Sequence, residues 1–185
     1  KSNRFSVNGP DSDVLWPRYS QIMDFELEFG FFLGKGGKTI KPSEARDHIF
    51  GFTIFNDFSA RDAQSIEMQS MLGPCKGKDF DTGNAMGPFL VTTDEIGDPY
   101  NLRMQARVNG QTWCDSNSST IHHKFEDLLA RVSADETVYP GEFFGSGTVG
   151  DGCGLEHGRY LKDGDVVELE VEKIGILRNR VVRQK

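Results

Sequence analysis

The chain has 185 residues, 37% of them apolar and 26% charged, with a net charge of −7. Such a chain buries a real core in one domain and is too apolar for intrinsic disorder. The acidic balance argues against a nucleic-acid partner, and no apolar run approaches the ~18 to 20 residues of a membrane span. The cysteines, Cys75, Cys114 and Cys153, are widely spaced. They form neither a disulfide framework nor a zinc site, which fits a reducing compartment, with the cytoplasm as the default expectation. No signal peptide is visible. The chain opens at Lys1 rather than a methionine, which leaves room for an upstream segment.

Residues 1–20 hold Asn8-Gly9-Pro10, Asp11-Ser12-Asp13 and Trp16-Pro17. This turn-forming sequence predicts an irregular lead-in ahead of a single domain over 21–185. Residues 22–33 read as a strand whose first half, Asp24-Phe25-Glu26-Leu27-Glu28-Phe29, alternates acid and apolar positions. On a strand, Asp24, Glu26 and Glu28 share one face and Phe25, Leu27 and Phe29 the other. The apolar face is core. The acid face is either solvated or compensated by a hard divalent cation.

Gly34-Lys35-Gly36-Gly37-Lys38-Thr39 is no phosphate-binding loop, because Phe32 stands where a glycine is required and Pro42 follows closely. A short helix is predicted after Pro42, with Ser43 as N-cap. Residues 49–56 are β-branched and aromatic, a buried strand ending at Asp57. Asp57 reads equally as a site carboxylate or as the cap of a helix within 59–69. Residues 71–88 carry glycines, prolines, Lys76 and Lys78 in a long loop that apolar side chains would pack. Beyond it, a strand is expected over 89–93 and a hairpin at Asn109-Gly110. A helix is expected over 122–132 with His122 and His123 exposed on its first turn, followed by strands over 166–171 and 174–182. Glu168, Glu170 and Glu172 repeat the opening alternation. No lysine-bearing loop adjoins them, so they read as a solvated face.

DFELEFGFFLGKGGKTI, GFTIFNDFSARDAQ, GPCKGKDFDTGNAMGPFLVT, GSGTVG and KDGDVVELEVEKIGILRN occur in that order from Trp16 to Val182. Together they resemble the fumarylacetoacetate hydrolase family. The resemblance implies a mainly β (α+β) fold, a mixed β-roll or sandwich with few short helices, and a homodimer. It implies a divalent metal, Mg²⁺ with Mn²⁺ or Ca²⁺ as alternatives, held by Glu26, Glu28 and Asp57. It also implies Lys78 as the catalytic lysine, and Arg61, Gln64, Thr82 and Thr148 as substrate-binding residues. Asp24 is not an expected ligand.

Three oxygen ligands suit a hard cation, which stabilises an enolate formed from a 2-oxo or 1,3-dicarbonyl acid. The expected reaction is hydrolytic C–C cleavage of an acylpyruvate- or fumarylacetoacetate-like 1,3-diketo acid. The alternatives at the same site are decarboxylation of a 2-oxo diacid such as oxaloacetate and isomerisation of a 2-hydroxy-dienoate. A metal-stabilised binding protein without turnover is the reading from another class. One departure bears on the choice. Family hydrolases activate water with a histidine that precedes the Glu-x-Glu strand, whereas His48, His122, His123 and His157 all follow it.

Overall fold

Aromatic residues in the first half of the chain set the core, and the strands follow from them. The computed structural model describes residues 2–184. In chain order the strands are β1 (Val7–Asn8), β2 (Asp13–Trp16), β3 (Met23–Asp24), β4 (Leu27–Leu33), β5 (Gly37–Lys38), β6 (Ile49–Asp57), β7 (Ser59–Ala60), β8 (Asn84–Thr92), β9 (Arg103–Val108), β10 (Gln111–Asn117), β11 (Thr137–Val138), β12 (Phe143–Gly145), β13 (Val166–Val171) and β14 (Gly175–Arg183). The helices are short: α1 (Pro42–Ala45), α2 (Arg61–Met68), α3 (Thr93–Ile96) and α4 (Phe125–Ser133).

One five-stranded sheet runs β1-β8-β6-β4-β12 and the other β10-β9-β13-β14-β2. A single apolar cluster draws on both, from Phe29, Phe31 and Ile54 to Val167, Leu169 and Val181. The fold is therefore mainly β with few short helices, as expected. Phe125 of α4 sits fully buried, with ring centroids 5.1 Å from Phe29, 5.3 Å from Phe31 and 5.5 Å from Phe52. These rings fasten the helix to the central pair β4 and β6. The predicted hairpin joins β9 to β10 at Asn109-Gly110, both with positive φ.

Several expectations are corrected. The first twenty residues are not simply irregular: β1 pairs in parallel with β8, and β2 in parallel with β14. Strands this short carry too few residues for an alternation to register. The strand expected over 22–33 is broken at Phe25-Glu26, where Glu26 bridges to Cys153 instead. β8 starts at Asn84 rather than at Phe89, because its register on β6 shifts and the irregularity accommodates Pro88, which has no N–H to give a ladder. Lys41, not Ser43, is the N-cap of α1, with Pro42 in the first turn. His122 and His123 lie exposed in the bend before α4, which opens at Phe125. Asp57 does not cap α2; Ala60 stands at that position and no side chain caps it.

Phe125→Ala removes the ring that three core phenylalanines touch. It is expected to cost about 3–5 kcal/mol, read as a lower midpoint in urea unfolding with an unchanged slope.

Candidate metal centre

The central strand pair brings the acids together. β4 and β6 are antiparallel, with Leu27 opposite Asn56 and Glu28 opposite Phe55. Carrying that register one step on sets Glu26 opposite Asp57. Residues directly opposite in an antiparallel pair share a face, and so do residues two apart on one strand. Glu26, Glu28 and Asp57 thus converge, each offering an oxygen within 4.8 Å of the others. The Asn56 Oδ1 accepts the Glu26 N–H at 3.1 Å and closes the break in the strand.

Two cations meet this cluster. Lys78 Nζ lies 2.7 Å from Glu26 Oε2 and 2.9 Å from Asp57 Oδ2. Arg61 Nη1 donates to Glu26 Oε1 at 2.7 Å and to Gln64 Oε1 at 2.9 Å. Burial pushes the Glu26 carboxyl up, but Lys78 and Arg61 outweigh it and hold it below the usual range. Glu28 has no such neighbour within its reach. Burial, then the charges of Glu26 and Asp57, push it well above the ordinary value, against only the Gly147 N–H at 3.0 Å and the more distant Lys78. Asp57 is pushed up to about 6, by burial first and by Glu26, against Lys78. Its Oδ1 is buried without a hydrogen-bond partner. An orphaned carboxylate oxygen beside two further carboxylates fits a hard divalent cation, and the all-oxygen donor set suits Mg²⁺, Mn²⁺ or Ca²⁺ rather than zinc or copper.

The loop after α2 delivers the lysine. Both oxygens of Glu67 accept backbone N–H groups, from Lys76 and from Gly77, each at 2.8 Å. The Gly77 carbonyl accepts the Ala60 N–H at 2.9 Å. A Cβ on Gly77 would lie 2.7 Å from the Gln64 Cα, so a glycine is needed for the loop to press against α2. Lys78 is buried as a result.

The sequence profile described as "Fumarylacetoacetate (FAA) hydrolase C-terminal" matches residues 2–182. The chain belongs to the fumarylacetoacetate hydrolase family. It is 42% identical over 180 residues to "Oxaloacetate tautomerase FAHD2B, mitochondrial" of Homo sapiens, across 96% of this chain and 56% of that protein. The chain therefore spans little more than half the length of that relative. Among solved structures, 5-carboxymethyl-2-hydroxymuconate delta-isomerase from Mycobacterium smegmatis superposes with a TM-score of 0.87 at 32% identity, covering 99% of this chain and 68% of that one. The fumarylacetoacetate hydrolase of Exiguobacterium antarcticum gives a TM-score of 0.89 at 30% identity, covering 99% and 65%. The expectation of a cytoplasmic location is overturned by the tautomerase relatives, which are mitochondrial proteins.

Of the residues singled out on resemblance to this family, Glu26, Glu28, Asp57, Lys78, Arg61 and Gln64 come together. Thr82 and Thr148 stand apart in their bonding. The Thr82 Oγ1 accepts the Leu15 N–H at 2.8 Å and so ties β2 to the lysine loop. Thr148 lies half-buried on the loop that follows β12, beside the Gly147 that donates to Glu28. Asn56, Glu67 and Gly147 were not singled out from the sequence. Asn56 acts through its amide, Gly147 through its backbone N–H and Glu67 through a carboxylate that accepts backbone N–H groups, so none pairs with another side chain in a pattern the sequence displays.

Asp57 and Glu28 titrate higher in the folded chain than their unfolded values near 4. The folded state then binds more protons than the unfolded one between those values. In EDTA, stability is gained as pH falls toward about 6 and lost as pH rises through it. The melting temperature in EDTA is expected to be higher at pH ~5.5 than at pH ~7.5, with added Mg²⁺ raising it mainly at the higher pH. A melting temperature in EDTA that instead rises from pH ~5.5 to pH ~7.5 would contradict the assignment.

Proposed function

We propose that this chain is the catalytic domain of a divalent-cation-dependent enzyme that interconverts the keto and enol forms of a small 2-oxo diacid of the oxaloacetate class. The observation that carries the reading is a carboxylate cluster with a buried lysine against it, its Nζ 2.7 Å from Glu26 and 2.9 Å from Asp57. Tautomerisation needs a proton moved between carbon and oxygen, and the ammonium of Lys78 stands against the cluster where that proton would move. The 42% identity to oxaloacetate tautomerases supports the same choice.

In this reading Glu26, Glu28 and Asp57 hold the cation, Mg²⁺ by preference, with Mn²⁺ and Ca²⁺ as alternatives. Bound there, it would supply a Lewis acid to the adjacent oxygens of a 2-oxo acid as negative charge grows on them. Lys78 carries a proton at Nζ beside that charge and is the group to give it and take it back. Arg61 and Gln64 bind a substrate carboxylate, and Thr82 and Thr148 line the approach. Burial of Lys78 keeps water from the exchange. The homodimer expected from the resemblance remains part of the proposal.

Cleavage of a 1,3-diketo acid, the first expectation from the sequence, becomes the second reading. The 30% identity to the Exiguobacterium antarcticum hydrolase supports it.

The test follows enol-oxaloacetate by its ultraviolet absorbance in ¹⁸O-labelled water, with EDTA and with Mg²⁺ restored. The expected result is a Mg²⁺-dependent loss of enol without CO₂ release, slowed about 10²- to 10³-fold in Lys78→Ala. Loss of an acylpyruvate with ¹⁸O in the acid product would instead establish the hydrolase. CO₂ release would establish a decarboxylase. Absence of turnover on all of these substrates would sink the enzymatic reading.

A further inference from the structure

Asp24 is completely buried and belongs to no step above. Its Oδ1 accepts the N–H groups of Phe25 at 2.9 Å and Gly154 at 2.8 Å. Its Oδ2 accepts the Leu155 N–H at 3.0 Å and lies 2.8 Å from both Nε and Nη2 of Arg61. A buried carboxylate needs donors and a counter-charge, and this one has both. The opposite end of the same guanidinium, Nη1, faces Glu26 and Gln64.

Arg61 is thus gripped from behind and aimed forward. The guanidinium is a rigid planar fork, so fixing Nε and Nη2 fixes the direction of Nη1. Left ungripped, a long side chain would sample several rotamers and its single charge would fall wholly to Glu26. The grip also depends on the turn that follows Cys153. A Cβ on Gly154 would lie 2.6 Å from the Asp24 Oδ1 and 2.1 Å from the Arg159 carbonyl oxygen, so only glycine lets that N–H reach the carboxylate.

We propose that Asp24 is the positioning residue that holds Arg61 in place against Glu26 and Gln64, so that Arg61 can bind a substrate carboxylate. The part concerning substrate rests on the function proposed above. The competing view is that Asp24 merely secures the turn at Gly154-Leu155.

Asp24→Asn keeps the shape of the side chain and removes its charge. In the unaltered protein the Arg61 Nε–H is expected to give a solvent-protected NMR signal, identified by its loss in Arg61→Lys. In Asp24→Asn that protection falls at least about tenfold while amides remote from the site are unchanged. KM for the 2-oxo diacid rises about tenfold with kcat within about threefold. In an Arg61→Met background the same change adds less than about twofold, because the two residues act as one unit. A second variant, Asp24→Ser, opens room for formate, which restores the protected signal. An Arg61 signal still protected in Asp24→Asn, effects on KM that multiply with those of Arg61→Met, or no recovery with formate would each overturn the inference. If the unaltered protein turns over no 2-oxo diacid, the functional proposal fails, and the NMR comparison still decides the role of Asp24.

Discussion

Carboxylates that face one another inside a protein repel, and burial makes each of them harder to ionise. The antiparallel register of β4 on β6 imposes this arrangement on Glu26, Glu28 and Asp57. Much of the surrounding structure answers it. Lys78 and Arg61 bring two positive charges, and the Gly147 N–H brings a partial one. That leaves Glu28 and Asp57 above their ordinary titration range and an Asp57 oxygen without a partner. A divalent cation is the compensation that fits the remaining charge and the oxygen-only donors.

The two side-chain cations are held by different means. Lys78 comes from a loop that regular secondary structure does not support, so the loop is fastened to α2 by Glu67 and by the close approach of Gly77. Arg61 comes from the first turn of α2 and is fastened by Asp24 from the adjoining β3. One buried acid therefore orients a group that serves another acid two residues further along the chain. The scaffold beneath is aromatic: Phe29, Phe31 and Phe52 on β4 and β6, clasped by Phe125. A site that depends on strand register needs that pair to be immovable, since slipping by one residue would turn every carboxylate to the opposite face.

The strands of the hairpin and of β13 and β14 were legible in the sequence because periodicity and turn residues are local, whereas the grouping of Glu26, Glu28 and Asp57 came from the resemblance to the family. The limits are equally physical. Residues 24–29 and 166–171 carry nearly the same alternation of acid and apolar positions. They differ in what lies across the ladder. Glu168 stands opposite Arg107, which also reaches Glu170, and both acids are partly solvated. Glu26 stands toward Asp57, a like charge, in the interior. That distinction belongs to pairing across the sheet, and resemblance to a family supplied it where periodicity did not. The edge strands β1 and β2 were too short to read. The importance of Asp24 was hidden because its partners, Arg61 and the turn at Gly154, lie 37 and 130 residues away.

The central claim is that Glu26, Glu28 and Asp57 together form one cation site. A titration with Mn²⁺ followed by electron paramagnetic resonance tests it directly, without a substrate and without turnover. The account predicts one tightly bound ion per chain, displaced by Mg²⁺, with affinity reduced at least about tenfold by Glu28→Gln and by Asp57→Asn. Failure of the folded protein to bind Mn²⁺, or binding that neither substitution weakens, would contradict it.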